Sequence, residues 1–448
     1  MKNRQDSVSV HGLGYVGLVL CAVWLRKGYS VVGVDVLETK VRALNKGQNS
    51  HAEQAVRKEI AKATSEGLFK ATTNGAQASK QTRIKIISIP IDLDSNNEPV
   101  PDNLEQAIEK IGEGLQKGDV VILESSVPPC TTLNLVKPKL EQVSGLKAER
   151  DFYLAYSPER IYVGRAVEDI EERYPKIIGG VGPKCSQVIG ELYAKIAKKG
   201  VRIVSSPTVA EFEKLAEGAY RDVNIALANE LAILASKMGI AYDEMADVAN
   251  SQPFCHLHKP GLGVGGSCIP VYPLFLMSAA NSMGVSMDLT SVARKTNSQM
   301  PSYTAQLAIQ EASELNLMKP KIAILGLAFR GGIDDTRLSP TYDLIKSLLK
   351  LGIEEITVTD PYVSTDAFLK NNELKLTKEL NEALQGADIA IIATDHPDYE
   401  GLNLVDLKSK MHKNLIGVVD GRHLIREWSN PPRGIIYAGV GRPLKSNI

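Results

Sequence analysis

Cys268 stands in the stretch Pro260-Gly-Leu-Gly-Val-Gly-Gly-Ser-Cys-Ile-Pro-Val-Tyr-Pro-Leu-Phe-Leu276, behind Gly261, Gly263, Gly265 and Gly266 and ahead of Pro270 and Pro273. Glycines admit positive φ and close approach to the backbone, and prolines stiffen the chain around them. Such a loop can hold a thiol in one orientation beside a ligand, where its thiolate is a nucleophile. A structural turn around a buried, inert cysteine is the other reading, and the loop alone does not separate the two. A second constellation lies near the N-terminus: Gly12-Leu13-Gly14-Tyr15-Val16-Gly17, with Asp35 placed 18 residues after the last glycine. Gly12 suits a tight turn, Gly14 lets a pyrophosphate approach a helix N-terminus, and Gly17 lets helix pack on strand. Asp35 can accept bonds from a ribose diol and repels a 2′-phosphate, which favours NAD over NADP.

Other polar residues have a functional and a plain reading. Glu159 and Arg160 form the charged pair at a strand-end loop, Tyr156-Ser-Pro-Glu-Arg160, and Glu159 is otherwise a solvated carboxylate. Lys214, Arg221 and Asn224 are seven and three residues apart on a helical pattern, or else make up a solvated stripe. Cys255 and His258 have a zinc-like spacing, but no second Cys/His pair lies nearby, so chance clustering is the better account. In the C-terminal third, Gly326-Leu-Ala-Phe-Arg330-Gly-Gly332 with Arg337 suits a diphosphate-bearing ligand other than the dinucleotide. Arg422 and Arg442 are expected on loops, and salt bridges alone would also explain these arginines.

These residues need a scaffold, and the chain supplies alternating strands and helices. Ser7–His11 reads as a strand, followed by an apolar helix to Lys27, a strand at Ser30–Val34, a strand at 84–89, a helix at 103–115 and a strand at 119–124. Ligands of parallel sheets sit beyond the carboxyl ends of the strands, a location that picks out Pro90 and Ile91, Ser125 and Ser126, and Tyr156-Ser-Pro-Glu-Arg160. Pro207 opens a long helix to about 238, roughly 45 Å at 1.5 Å per residue, able to bridge domains and to pack on a second subunit. A helix at 243–250 precedes the glycine loop. After Met318-Lys-Pro320, a second βαβ pattern begins at 321–325, continues at 356–359, and adds strands at 389–393, 416–419 and 435–437. The expected fold is α/β: two Rossmann-like, doubly wound parallel-sheet domains joined by a long central helix, with domains at 1–206, 207–317 and 318–448. With 448 residues, 44% hydrophobic and 23% charged, this is a globular composition. Lys plus Arg and Asp plus Glu both total 52, so no global field favours nucleic acid or an anionic membrane. The five cysteines are sparse and odd in number, residues 1–6 show no signal peptide, and the longest apolar stretch is too short to span a bilayer, so a cytoplasmic protein is expected.

In this order, the dinucleotide motif, Ser157-Pro-Glu-Arg160, Lys214 within Ala210-Glu-Phe-Glu-Lys, Gly265-Gly-Ser-Cys268 and Gly326-Leu-Ala-Phe-Arg330 resemble the UDP-glucose/GDP-mannose dehydrogenase family over nearly the whole chain. Within it, Pro158-Glu-Arg160, Arg221-Asp-Val-Asn-Ile-Ala226 and Cys268-Ile-Pro-Val271 look like the branch that oxidises UDP-N-acetylhexosamines, UDP-N-acetyl-D-mannosamine above all. The resemblance implies oxidation of a UDP-sugar at its 6-hydroxyl to the uronate, in two hydride transfers to NAD through a thiohemiacetal and a thioester on Cys268. It implies that Lys214 stabilises the alkoxide or oxyanion and that Glu159 helps water attack the thioester. It puts Tyr15, Val16, Asp35 and Ser126 on NAD, and Arg160, Ile161, Lys214, Arg221, Gly265, Phe329, Arg330, Arg337 and Arg422 near the UDP-sugar. It also implies a homodimer built on the central helix.

The chain departs from the family pattern at four points. Tyr272 stands where the family carries Asp, Gly218 where it carries Asn, Phe254 where the aminosugar branch carries Arg, and Ser267 where that branch carries His. UDP-N-acetylglucosamine and UDP-glucose are therefore alternative substrates, and a catalytically impaired UDP-sugar-binding homologue is the alternative of another class.

Overall fold

The computed structural model describes residues 4–51 and 53–448, so the polar stretch 1–6 lies partly outside the described residues. Two compact units are present, one running to Glu217 and taking in Leu274–Val285, the other made of Gly218–Pro273 and Ser286–Ile448.

The first unit is built on an eight-stranded sheet in the order Val201–Ile203, Lys176–Gly180, Tyr153–Tyr156, Val120–Leu123, Ile84–Ile87, Ser7–His11, Ser30–Val34, Phe69–Thr72. Ser7–His11, Ile84–Ile87 and Val120–Leu123 are buried along their whole length, as strands covered on both faces must be. All pairings are parallel except Tyr153–Tyr156 with Lys176–Gly180. From Phe69–Thr72 inward the strands run 3-2-1-4-5-6, so the topological switch point falls between Ser7–His11 and Ile84–Ile87. The helix Tyr15–Arg26 buries every residue from Gly17 to Leu25, and Trp24 meets the edges of Tyr29 and Tyr193 in the core. The strands expected at 84–89 and 119–124 are shorter, and the helix expected at 103–115 is Asp102–Gly114.

The second unit repeats that plan with seven strands: Lys375–Thr377, Ile356–Thr359, Ile322–Leu325, Ile389–Ile392, Ile416–Asp420, Ile435–Gly439, Arg442–Asn447. The last pairs antiparallel with Ile435–Gly439. This corrects the expectation that Arg442 lies on a loop: it opens the final strand, is 7% exposed, and its guanidinium binds Asp243 at 2.7 Å and Asp420 at 3.3 Å. The helix Asp288–Glu314 packs on this sheet with Pro301 inside it. Small residues Ala228, Ala232 and Ala235 allow close packing around Tyr242, Met300 and Val440. The helix expected from 207 to about 238 is Pro207–Lys237, 31 residues long, and its first eleven residues belong to the first unit.

Candidate active site

At the switch point of the first unit, Gly12 has φ +94° and a Cβ there would lie 2.3 Å from the Ser88 carbonyl oxygen. A Cβ at Gly17 would sit 1.8 Å from the Gly12 oxygen, so both glycines are required by the protein's own packing. Gly14 differs: a Cβ there meets nothing within 4 Å, and the residue is exposed at the N-cap of Tyr15–Arg26. Internal packing does not demand a bare backbone at that point, whereas a pyrophosphate on the helix N-terminus does. Asp35 accepts from Leu13 N–H at 3.1 Å and Leu37 N–H at 3.0 Å, and pairs with Lys40 at 2.9 Å. These three bonds leave acceptor capacity on Oδ1. The corresponding acid of the second sheet, Asp360, accepts five: Leu327, Ala328, Tyr362 and Val363 N–H groups and the His396 ring. Asp360 is spent as a latch for its own loop, so of the two acids at the ends of second strands only Asp35 retains room for a ribose. Tyr15 stacks on His51 at 4.4 Å, and its hydroxyl donates to Glu53. Val16 lies in the first turn of the helix Tyr15–Arg26, Ile91 and Ser126 follow the ends of Ile84–Ile87 and Val120–Leu123, and Pro90 is exposed. Ser125 Oγ accepts from Ile89 N–H at 2.8 Å and so fixes the turn before Pro90.

Glu159 is not a solvated carboxylate. It is 7% exposed and paired with Lys176, whose ammonium also binds Glu124 at 2.8 Å. Tyr193 donates to the other oxygen of Glu124. Burial, reinforced by the charge of Glu124 and opposed by that of Lys176, pushes Glu159 well above the usual carboxylate range. Lys176 is itself opposed by burial, but the two carboxylates outweigh it and raise its pKa. Lys214 donates from Nζ to the backbone oxygen of Glu159 at 2.5 Å. Arg160 donates to the Pro175 oxygen at 2.5 Å and lies 3.9 and 3.8 Å from Glu213 and Glu217. Burial and then Glu217 push Glu213 up to about 7. Ile161 is half-buried beside them.

In the second unit, Cys268 is exposed at the end of the glycine loop. A Cβ at Gly265 would lie 2.7 Å from the Leu338 oxygen and from Phe329 Cβ, and 2.9 Å from Pro340 Cδ. Gly266 has φ +90°, donates its N–H to the Arg337 oxygen at 3.0 Å, and would drive a Cβ into the Phe329 ring at 2.8 Å. The loop is therefore seated on the segment that follows Ile322–Leu325. Its start is held separately: Asn229 accepts from Gly261 N–H at 2.9 Å and donates to Asn297, which donates to Asp222, itself paired with Arg294 at 2.5 Å. Arg337 pairs with Asp335 at 2.5 Å, and after that bond the field of Cys268 also contributes to its raised pKa. Arg422 donates to the Phe329 oxygen at 3.3 Å and to the Ala393 oxygen at 2.7 Å. Arg330 is half-buried and Arg221 exposed.

Within the first unit, then, Glu159, Arg160 and Lys214 come together, and within the second Cys268, Gly265, Phe329, Arg337 and Arg422 do. Sequence reasoning passed over Glu124, Lys176 and Tyr193, whose partners are 17 to 69 residues away. It also passed over Asp222 and Asn229, although a polar pair seven apart on an otherwise apolar helix face is a signal of buried hydrogen bonding.

Among the described residues, no helix is long and apolar enough to cross a membrane. The chain matches three domains of the UDP-glucose/GDP-mannose dehydrogenase family: the NAD binding domain over residues 6–197, the central domain over 208–299 and the UDP binding domain over 323–427. It is 35% identical over 438 residues to a UDP-N-acetyl-D-mannosamine dehydrogenase of Pyrococcus horikoshii, covering 97% of this chain and 99% of that one. It is 34% identical to an NDP-N-acetyl-D-galactosaminuronic acid dehydrogenase of Ralstonia nicotianae, covering 94% and 96% of the two chains. The solved structure of the UDP-D-ManNAc dehydrogenase from Pyrococcus horikoshii superposes with a TM-score of 0.88 over 97% of this chain and 99% of that one, at 34% identity. The chain belongs to the UDP-glucose/GDP-mannose dehydrogenase family and is an NAD-dependent oxidoreductase that acts on the CH–OH group of a UDP-sugar.

Proposed function

We propose that the chain oxidises UDP-N-acetyl-D-mannosamine at its 6-hydroxyl to the uronate, a four-electron reaction with Cys268 as the nucleophile. The carrying observation is the exposed thiol of Cys268 on a loop whose Gly265 and Gly266 leave no room for a side chain against Phe329 and Leu338. A thiol so held can meet an aldehyde repeatedly in one geometry. The names of the relatives in Pyrococcus horikoshii and Ralstonia nicotianae support an N-acetylated aminosugar.

NAD, held by the residues around Gly12, Gly14 and Asp35, would supply the hydride acceptor for both oxidations. Lys214, aimed by the Glu159 carbonyl, stabilises the alkoxide that forms as the hydroxyl proton is lost. The Cys268 thiolate adds to the aldehyde carbon, forming a C–S bond, and Lys214 serves the resulting oxyanion. Loss of the second hydride leaves a thioester. Water then attacks, Glu159 takes its proton, the C–S bond breaks, and the thiolate leaves. The balance is one alcohol, two NAD and one water to one carboxylate, two NADH and three protons. A buried Glu159 with raised proton affinity, kept charge-compensated by Lys176, suits the base in that last step.

In this reading the NAD-binding domain is 1–206, the central helical domain 207–317 and the UDP-sugar-binding domain 318–448. Gly12, Gly14, Tyr15, Val16, Gly17, Asp35, Pro90, Ile91 and Ser126 hold NAD. Arg160, Ile161, Arg221, Gly265, Phe329, Arg330, Arg337 and Arg422 hold the sugar nucleotide. A homodimer through the long helix is supported by Tyr220, Leu227 and Leu234, which are 58%, 44% and 57% exposed at a spacing of seven. Five free cysteines support a reducing, cytoplasmic setting.

The test is a panel of UDP-N-acetylmannosamine, UDP-N-acetylglucosamine and UDP-glucose assayed for NADH. Two NADH per sugar, with the first substrate preferred, is the expected result. One NADH per sugar would sink the four-electron reading. Calorimetric binding without any NADH would favour a binding-only homologue, the reading to which Phe254, 96% exposed where the aminosugar branch carries arginine, lends itself.

A further inference from the structure

Gly218 and Tyr272 depart from the family pattern separately in sequence, yet in the structure they are one feature. A Cβ at Gly218 would lie 2.5 Å from Tyr272 Cδ2, 3.0 Å from its Cβ and 3.1 Å from its Cγ. The ring therefore lies against the bare backbone of the helix Pro207–Lys237, both residues are buried, and a side chain at 218 and an aromatic ring at 272 exclude one another. Tyr272 also opens the helix Tyr272–Ser282, and the oxygen of Cys268 accepts from Val271 N–H at 3.0 Å and from Tyr272 N–H at 2.9 Å. Pro270 and Pro273 flank that turn and stiffen it. Upstream, the thiol-bearing segment is fixed by Gly265 and Gly266 on Phe329 and Leu338. Downstream, Pro270, Val271 and Tyr272 are buried within one turn of Cys268, and the Tyr272 ring is the one seated on the helix backbone at Gly218.

We propose that Tyr272, wedged on Gly218, is a positioning residue that sets the Cys268 thiol for attack on the aldehyde. The inference rests on the nucleophilic role of Cys268 proposed above. Losing the wedge spares the first hydride transfer, which needs no thiol, and impairs the second, because a displacement of about 1 Å costs about 100-fold in such a step.

The experiment measures NADH per sugar, aldehyde trapped by hydroxylamine, and kcat against KM. Tyr272→Ala is expected to release aldehyde and bring NADH per sugar from two toward one, with KM for the sugar nucleotide little changed. Tyr272→Phe, which keeps the ring, restores the ratio. Gly218→Ala reproduces the defect in the wild-type background and adds nothing in the Tyr272→Ala background, where no ring remains to strike. A ratio of two in Tyr272→Ala, or additive losses in the double variant, overturns the proposal. If the wild type itself yields one NADH per sugar, it is the nucleophilic role of Cys268 that fails instead.

Discussion

Replacing Lys176 by methionine removes one charge from a buried ionic group of the first unit and little volume. The Lys176, Glu124 and Glu159 side chains are 5%, 0% and 6% exposed, so the two carboxylates depend on that ammonium rather than on water. Removing one partner of a buried ionic group costs about 3–5 kcal/mol at neutral pH. The loss has a sign in pH. Glu159 already has a raised pKa in the folded protein, and without Lys176 it rises further. The native state then holds protons that the unfolded chain releases above the ordinary carboxylate value of 4.5, so stability is greatest below that value and falls as pH rises. Lys176→Met should therefore be least harmful near pH 5 and progressively worse toward pH 8. Trp24 and Trp428 are the two tryptophans of the chain, one in each unit. In a Trp428→Phe background, urea unfolding followed by Trp24 fluorescence reads the first unit alone. The acidic limb of the kcat profile should move to higher pH in the same variant, while Lys176→Arg keeps both properties near wild type. A loss below about 1 kcal/mol, within the range of ordinary surface changes, or one independent of pH, would refute the reasoning.

Close contacts and burial give two further expected outcomes. Gly265→Ala places a methyl 2.7 Å from the Leu338 oxygen and Phe329 Cβ, and overpacking of about 1–3 kcal/mol should displace the loop. Uronate formation should then fall sharply while NAD affinity, measured by fluorescence titration, is unchanged. Glu311 is fully buried, and burial pushes its carboxyl well above the usual range, next to the close approach of Gly417. Its native-state proton makes stability highest below pH 4.5 and lower as pH rises, by up to about 1.4 kcal/mol per unit. Glu311→Gln should remove that slope, so its advantage over wild type in urea unfolding grows from pH 5 to pH 8.

The central strands of both sheets were legible because they are short apolar runs and because the second unit repeats the first, whereas no strand was delimited at Phe69–Thr72, Tyr153–Tyr156, Lys176–Gly180, Val201–Ile203 or Lys375–Thr377. The final strand was not: Arg-Pro-Leu-Lys-Ser-Asn is polar, sits at an edge, and is fixed by antiparallel pairing and by the Asp243 and Asp420 carboxylates. The glycine loop advertised its constraint, but what its glycines avoid (Phe329, Leu338 and Pro340) lies more than 60 residues downstream. Glu159 was visible only as a carboxylate after a strand. Its burial comes from Lys176 and Glu124, which no local pattern connects to it. Gly218 and Tyr272 looked like two defects because their complementarity is a matter of tertiary distance, 2.5 Å across 54 positions of chain.

The proposed chemistry stands or falls with Cys268 carrying the sugar as an acyl intermediate. Acid-quenching the enzyme during turnover and measuring the mass of the peptide that contains Cys268 tests it directly. A uronyl adduct on that peptide in the wild type, absent from Cys268→Ser along with uronate formation, is the predicted result. A Cys268→Ser enzyme that still makes uronate with two NADH per sugar would contradict it.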